Sequence, residues 1–174
     1  AVSPTARFNT RNSSLFVRMY YAAWSTVPFY NDSTIGGSGV YAMSEQGRAR
    51  FDRFPSIISD DGYIRLLFHA NERRRLSDAT CVVSCPRNLR ELVMVKARRG
   101  AGKDELLQHY PDLAKHEETT TAMRLGSVLK KPHLWPCFAV YACCMIAIRF
   151  RVLQKARSGQ LGVWDRDESS RTSA

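Results

Sequence analysis

Between Lys131 and Arg149 the chain passes through 15 residues, 134–148, without a single charged side chain. A segment of this kind must find either a protein interior or lipid. Wound as a helix it is about 22 Å long, short of the roughly 30 Å hydrocarbon layer of a bilayer. Lys130 and Lys131 precede it, and Arg149 and Arg151 follow, so the flanking charges assign no orientation. Trp135 and Tyr141 suit a membrane–water interface, and the basic stems can snorkel. Three placements stay open: an in-plane or shallow membrane helix, expected first, an ordinary buried helix, and a short or tilted transmembrane helix. Contact with a membrane surface through 134–148, on the cytoplasmic face, is the resulting expectation.

The rest of the chain reads as a folded domain. Its 174 residues are enough for one core, and 44% are apolar. A net charge of +10 admits anionic partners, whether nucleic acid, acidic lipid or a sugar nucleotide. The cysteines (Cys81, Cys85, Cys137, Cys143, Cys144) form no CxxC pair, and the four histidines keep no zinc-like spacing from them. A Cys/His metal site is therefore not expected, and the thiols read as free.

Strands and helices alternate, which points to an α/β architecture. Ser13-Ser14 caps an expected helix over 15–25, whose apolar face is Leu15, Phe16, Met19, Tyr20, Ala23 and Trp24. Residues 39–43 have strand character, and Ser44 opens a basic helix reaching Arg53 before Pro55. Another helix starts near Asp61. Thr80-Cys-Val-Val83 reads as a strand, and Pro86 as the first turn of a helix that Gly100 and Gly102 end. Residues 103–130 read as mostly helical and polar, and the tail from 159 as polar.

Asp60-Asp61 and the cations Lys96, Arg98 and Arg99 carry the candidate chemistry. Adjacent carboxylates repel when both are ionised, which suits one of them to accept a proton. Guanidinium groups suit a departing phosphate. Each feature alone also has an ordinary explanation, since Asp-Asp-Gly makes solvated turns and cations favour helix C-termini.

Taken together, these residues resemble the acceptor half of family-2 inverting glycosyltransferases of the GT-A type. The resemblance runs through Gly36-Gly-Ser-Gly-Val-Tyr-Ala-Met-Ser44, Gly47-Arg-Ala-Arg-Phe51 and Phe54-Pro-Ser-Ile-Ile-Ser-Asp-Asp61. It continues in Cys85-Pro-Arg-Asn-Leu-Arg-Glu-Leu-Val-Met-Val-Lys-Ala-Arg-Arg-Gly-Ala-Gly102, which is similar to that family's proline-containing helix ending in a QxxRW-like motif. The resemblance implies Asp61 as the base, with Asp60 supporting it. It also implies substrate contacts from Gly36, Gly37, Lys96, Arg98 and Arg99. Val95 stands where the motif has glutamine and Arg99 where it has tryptophan. The missing tryptophan argues against processive polysaccharide synthesis.

The implied partners are a nucleotide-sugar donor and a hydroxyl acceptor, and the implied cofactor is a divalent cation, Mg or Mn. No Asp-x-Asp precedes Gly36 to hold that ion; Asp165-Arg-Asp167 is the one such spelling, in the tail. The chain begins on Ala1. The expectation is thus the C-terminal portion of a glycosyltransferase, inactive alone because the donor half is missing. Residues 1–130 would be an incomplete GT-A-like mixed sheet with packed helices, 131–157 a membrane-associated or buried hydrophobic helix, and 158–174 a polar tail. The alternative is a basic α/β module binding nucleic acid or an anionic membrane surface through Arg73-Arg-Arg75, Arg87, Arg90 and the α-helical cations. No glycine-rich phosphate loop, RNA-binding aromatic motif or helix-turn-helix favours nucleic acid.

Overall fold

The computed structural model describes residues 1–26, 39–116 and 131–159. It is a mixed α/β arrangement. The strands are β1 (Val2–Asn9) and β2 (Arg74–Ser84), which pair in parallel. The helices are α1 (Leu15–Trp24), α2 (Glu45–Arg48), α3 (Asp60–Leu67), α4 (Leu89–His109) and the apolar C-terminal α5 (Trp135–Arg157). Among the described residues the sheet has these two strands.

The strand register jumps once. Val2 to Pro4 pair with Arg74 to Leu76, and then Thr5 pairs with Thr80. Pro4 has no amide hydrogen to continue the ladder, so β2 loops out Ser77, Asp78 and Ala79 at that point. The Thr5 hydroxyl donates to the Leu76 carbonyl at 2.9 Å and closes the step. The expected strand over 39–43 reduces to one antiparallel bridge between Val2 and Ala42, with hydrogen bonds of 2.8 and 2.9 Å. The chain then turns at once into α2, where the Ser44 hydroxyl accepts from the Gly47 amide.

Several helix limits differ from expectation, each for a local reason. α2 stops at Arg48 rather than Arg53, because the Arg48 guanidinium turns onto the carbonyls of Phe51 and Asp52. α4 begins at Leu89, three residues after Pro86, because Asn88 and Glu91 make the cap. The Asn88 side chain accepts from the Glu91 amide at 3.0 Å, and Glu91 accepts from the Arg87 amide at 2.8 Å. Most consequentially, α4 runs straight through Gly100 and Gly102 to His109. Neither glycine ends it. A Cβ on Gly100 would lie 3.0 Å from Val152 of α5, and one on Gly102 would lie 3.0 Å from Ile58. These glycines let two neighbours approach the helix, which is a tertiary role.

Two apolar clusters share α4. Its first half contributes Leu92 and Ala97 to a cluster with Val17, Tyr20 and Tyr21 of α1 and Cys144, Ile148 and Val152 of α5. Its second half contributes Leu106 to a cluster with Phe51, Tyr63, Ile64, Leu66 and Phe68. Fully buried side chains such as Leu92 and Ile64 each stabilise the fold by about 1.5–3 kcal/mol. The face of α1 that is buried is Val17, Tyr20, Tyr21 and Ala23. Leu15 and Phe16, expected to be core, are 68% and 53% exposed, because α1 turns its first residues away from α4 and α5.

Candidate functional site

Between the two clusters, at the middle of α4, lies a cleft of about 410 Å³. Asp60 and Asp61 reach it from the start of α3, and Arg98 and Arg99 from α4. Gly39, Val40 and Tyr41 form another part of its lining, ahead of the bridge to β1. Ile58 and Ser59 complete it. The fold therefore brings the acidic doublet and the arginine pair together across a long separation in sequence.

Three local devices set this geometry. Asp60 and Asp61 occupy the first turn of α3, and each carboxylate accepts a hydrogen bond from the following amide, Asp61 N to Asp60 Oδ1 and Gly62 N to Asp61 Oδ1, both at 2.8 Å. Those amides are among the donors a helix start leaves unsatisfied, and the helix's positive end meets the two anions. The Glu105 carboxylate accepts from the Ile58 amide at 3.1 Å, which ties the approach to α3 onto α4. Gly102, one turn from Arg98, leaves the room that Ile58 and Ser59 occupy. Asp61 is partly buried and Asp60 exposed, so Asp61 is the better enclosed of the pair.

Tyr41 is a cleft residue that the sequence did not single out. Burial, followed by the Asp60 and Asp61 charges, holds its hydroxyl above the ordinary phenol range, so it stays a proton donor beside them. Its place in the glycine-marked stretch just ahead of Ser44 was the available signal. Gly36 and Gly37, expected to contact substrate, lie outside the described residues.

Lys96 is corrected. It does not line the cleft. Its ammonium nitrogen lies 4.4 Å from the ring centre of Trp24, 5.3 Å from Tyr21 and 5.6 Å from Tyr20, inside an aromatic box built by α1. The side chain is partly exposed as a whole, while the charged end is enclosed. Burial, then repulsion from Arg99, pull its pKa down to about 7, against a weaker opposing pull from Cys85. The rings favour the cation by about 0.5–2 kcal/mol. Removing an ammonium from water costs more than that, so desolvation wins. Burial likewise raises Tyr20 and Tyr21. Lys96 lies on the opposite side of α4 from Arg98, which explains why a run of cations in sequence divides between two environments.

The basic patch of the alternative reading is also divided. Arg73 is 4% exposed, with its guanidinium directed at the carbonyls of His69 and His116, so it is part of the interior rather than of a binding face. Among the described residues, no three His, Cys, Asp or Glu side chains converge as ligands for a metal ion. The paired Asp60 and Asp61 alone do not fit the divalent cation that the resemblance implies. The described cysteines are all unbridged.

The chain matches no protein-family model, and no curated protein or solved structure is significantly similar to it. The cleft's own geometry is therefore the basis for a functional reading.

Proposed function

We propose that the cleft binds a hydroxyl-bearing acceptor and serves glycosyl transfer with inversion. The observation that carries this reading is the convergence of Asp61 with Arg98 and Arg99 on one cleft, whose volume falls in the range of small-molecule sites. In the reaction, Asp61 takes the acceptor's hydroxyl proton as that oxygen attacks the anomeric carbon. The bond from that carbon to the phosphate oxygen breaks, and the nucleoside diphosphate departs with its electron pair. Arg98 and Arg99 meet the charge that develops on it. Tyr41 donates a hydrogen bond to the acceptor, and Asp60 holds the first turn of α3. The sugar nucleotide's own binding elements, and a GT-A-like sheet to carry them, belong to the same proposal as parts that these residues do not supply.

Nucleoside diphosphate is the probe of choice, because it tests the guanidinium side without needing turnover. Titrated calorimetrically into the chain, uridine diphosphate is expected to bind, and Arg98→Ala to weaken it by about tenfold or more. Unchanged binding in Arg98→Ala, or none in the native chain, would remove the transferase reading. Where transfer is measured, Asp61→Asn is expected to lower it by about 10²–10⁴-fold with the fold intact.

A further inference from the structure

α5 is apolar on two faces. One is covered by α1 and α4. The other carries Trp135, Ala139, Ala142, Ile146, Phe150 and Leu153, spaced three and four apart so that they form one stripe along the helix. Trp135 is 54% exposed, Ile146 72%, Phe150 62% and Leu153 41%. A continuous apolar stripe of this length on a protein surface marks a partner. Lys131, Arg149, Arg151, Lys155 and Arg157 accompany it, and no acidic residue occurs from 131 to 157.

The helix Pro132–Arg157 is long and apolar enough to cross a membrane. Its packing opposes that placement. Cys144, Ile148 and Val152 are buried in the cluster with α1 and α4, and Phe138 is buried too, so α5 is held to protein along most of its length. α4 carries Arg90, Lys96, Arg98, Arg99, Lys103, Asp104 and Glu105. Arg149 of α5 pairs with Asp104 at 3.5 Å, and Val152 rests on Gly100. A spanning α5 would either drag these charges into hydrocarbon or abandon the cluster, and both are strongly unfavourable.

We infer that α5 lies in the plane of an anionic membrane surface, with its outer stripe in the lipid and its inner face kept on α1 and α4. The charge pattern selects this occupant over a second copy of the chain. A like-charged copy would bring two five-cation segments together, whereas acidic headgroups neutralise them. The Trp135 ring sits at the headgroup level, and Arg151 and Arg157 reach acidic lipid while Arg149 stays on Asp104. This inference stands apart from the cleft's chemistry and survives if that reading fails.

The test is co-flotation of the full chain with vesicles of phosphatidylcholine, with and without phosphatidylserine. Binding is expected to rise at least about tenfold with the acidic lipid and to fall with salt. Ile146→Glu and Phe150→Glu, both at exposed positions, are each expected to reduce it about tenfold with unchanged melting. An Ile146→Trp variant in which Trp24, Trp135 and Trp164 are replaced by phenylalanine then reports depth through brominated lipids. Quenching greatest from shallow bromines supports the in-plane placement, and quenching greatest from the bilayer centre overturns it in favour of a span. Absence of binding, binding indifferent to both glutamates, or a dimer that these substitutions dissociate would each overturn it as well.

Discussion

Lys96 and Arg98 are two residues apart on α4, yet one is sealed among the rings of Tyr20, Tyr21 and Trp24 while the other lines an open cleft opposite Asp60 and Asp61. The difference lies in what surrounds them. α1 offers aromatic faces and no carboxylate, so the ammonium beneath it loses water without gaining a counter-ion. The start of α3 offers two carboxylates and access to solvent, so the guanidinium groups there face charge of opposite sign across an open cleft. A charge run in a sequence is therefore not one surface. The helix periodicity divides it, and the neighbouring elements decide which part can bind anything.

The pH dependence of stability should sharpen this contrast most. The Lys96 pKa in the fold, about 7, is below its unfolded value near 10.5, so between those limits the unfolded chain holds the extra proton. Stability should then rise with pH from about 7 towards 10, by on the order of 3–4 kcal/mol. Tyr20 and Tyr21 are raised, so their contribution is complete below pH 10 and is lost above it as the unfolded phenols ionise first. Denaturant midpoints across this range should trace a maximum near pH 10. A flat profile would mean that the lysine's charged end is hydrated after all.

Gly102→Val comes next, because it attacks the cleft from the other side of the comparison. Its side chain would meet Ile58 and Ser59 at sub-contact distance and push α3 away from α4. The expected loss is about 1–3 kcal/mol, together with weaker diphosphate binding, while the aromatic box around Lys96 remains intact. Tryptophan fluorescence and calorimetry on the same sample separate the two effects.

Lys96→Met should act in the opposite direction. Replacing the enclosed ammonium by a thioether of similar length is expected to stabilise the fold at pH 6–7 by about 1–2 kcal/mol and to abolish the rise towards alkaline pH. Diphosphate binding should be unchanged. Weaker binding in this variant would return Lys96 to the cleft.

The smallest effect is expected from Glu72→Gln. The Arg50 guanidinium, with the His69 amide at 2.9 Å, lowers the Glu72 pKa to about 2, so its stabilisation is present above the ordinary carboxylate pKa and disappears as pH falls through about 2. The variant should be slightly less stable than the native chain at neutral pH, should converge with it as pH falls towards about 2, and should bind diphosphate unchanged. Acid titration of the two proteins by circular dichroism checks this.

These contrasts also show what the sequence could and could not reveal. The mixed α/β class, the start of α3 at the acidic doublet, and the unbroken apolar run of α5 were legible because each depends on residues close in the chain. β1 was not, since Pro4 and the polar residues between Val2 and Phe8 obscure its alternation, and only its partner β2 makes it a strand. β2 was seen only over its apolar end, because Arg74 to Ala79 give no period-two pattern. Gly100 and Gly102 look like helix stops from one side of the chain and are close-packing points once α5 and Ile58 arrive. The aromatic box around Lys96 requires α1 to lie on α4, and no local signal reports that. Asp61 with Arg98 was readable as a pairing of types, whereas Tyr41 joined them through the bridge at Ala42.

The most direct test of the account is a double-mutant cycle between Asp61→Asn and Arg98→Ala, read by calorimetric binding of uridine diphosphate to the chain. If Asp61 faces Arg98 across one cleft, so that its charge acts on the diphosphate held there, the two substitutions should be non-additive, with a coupling of about 0.5 kcal/mol or more. Strict additivity, to within about 0.3 kcal/mol, or no binding to the native chain, would show that the acidic doublet and the arginine pair do not work in one cleft.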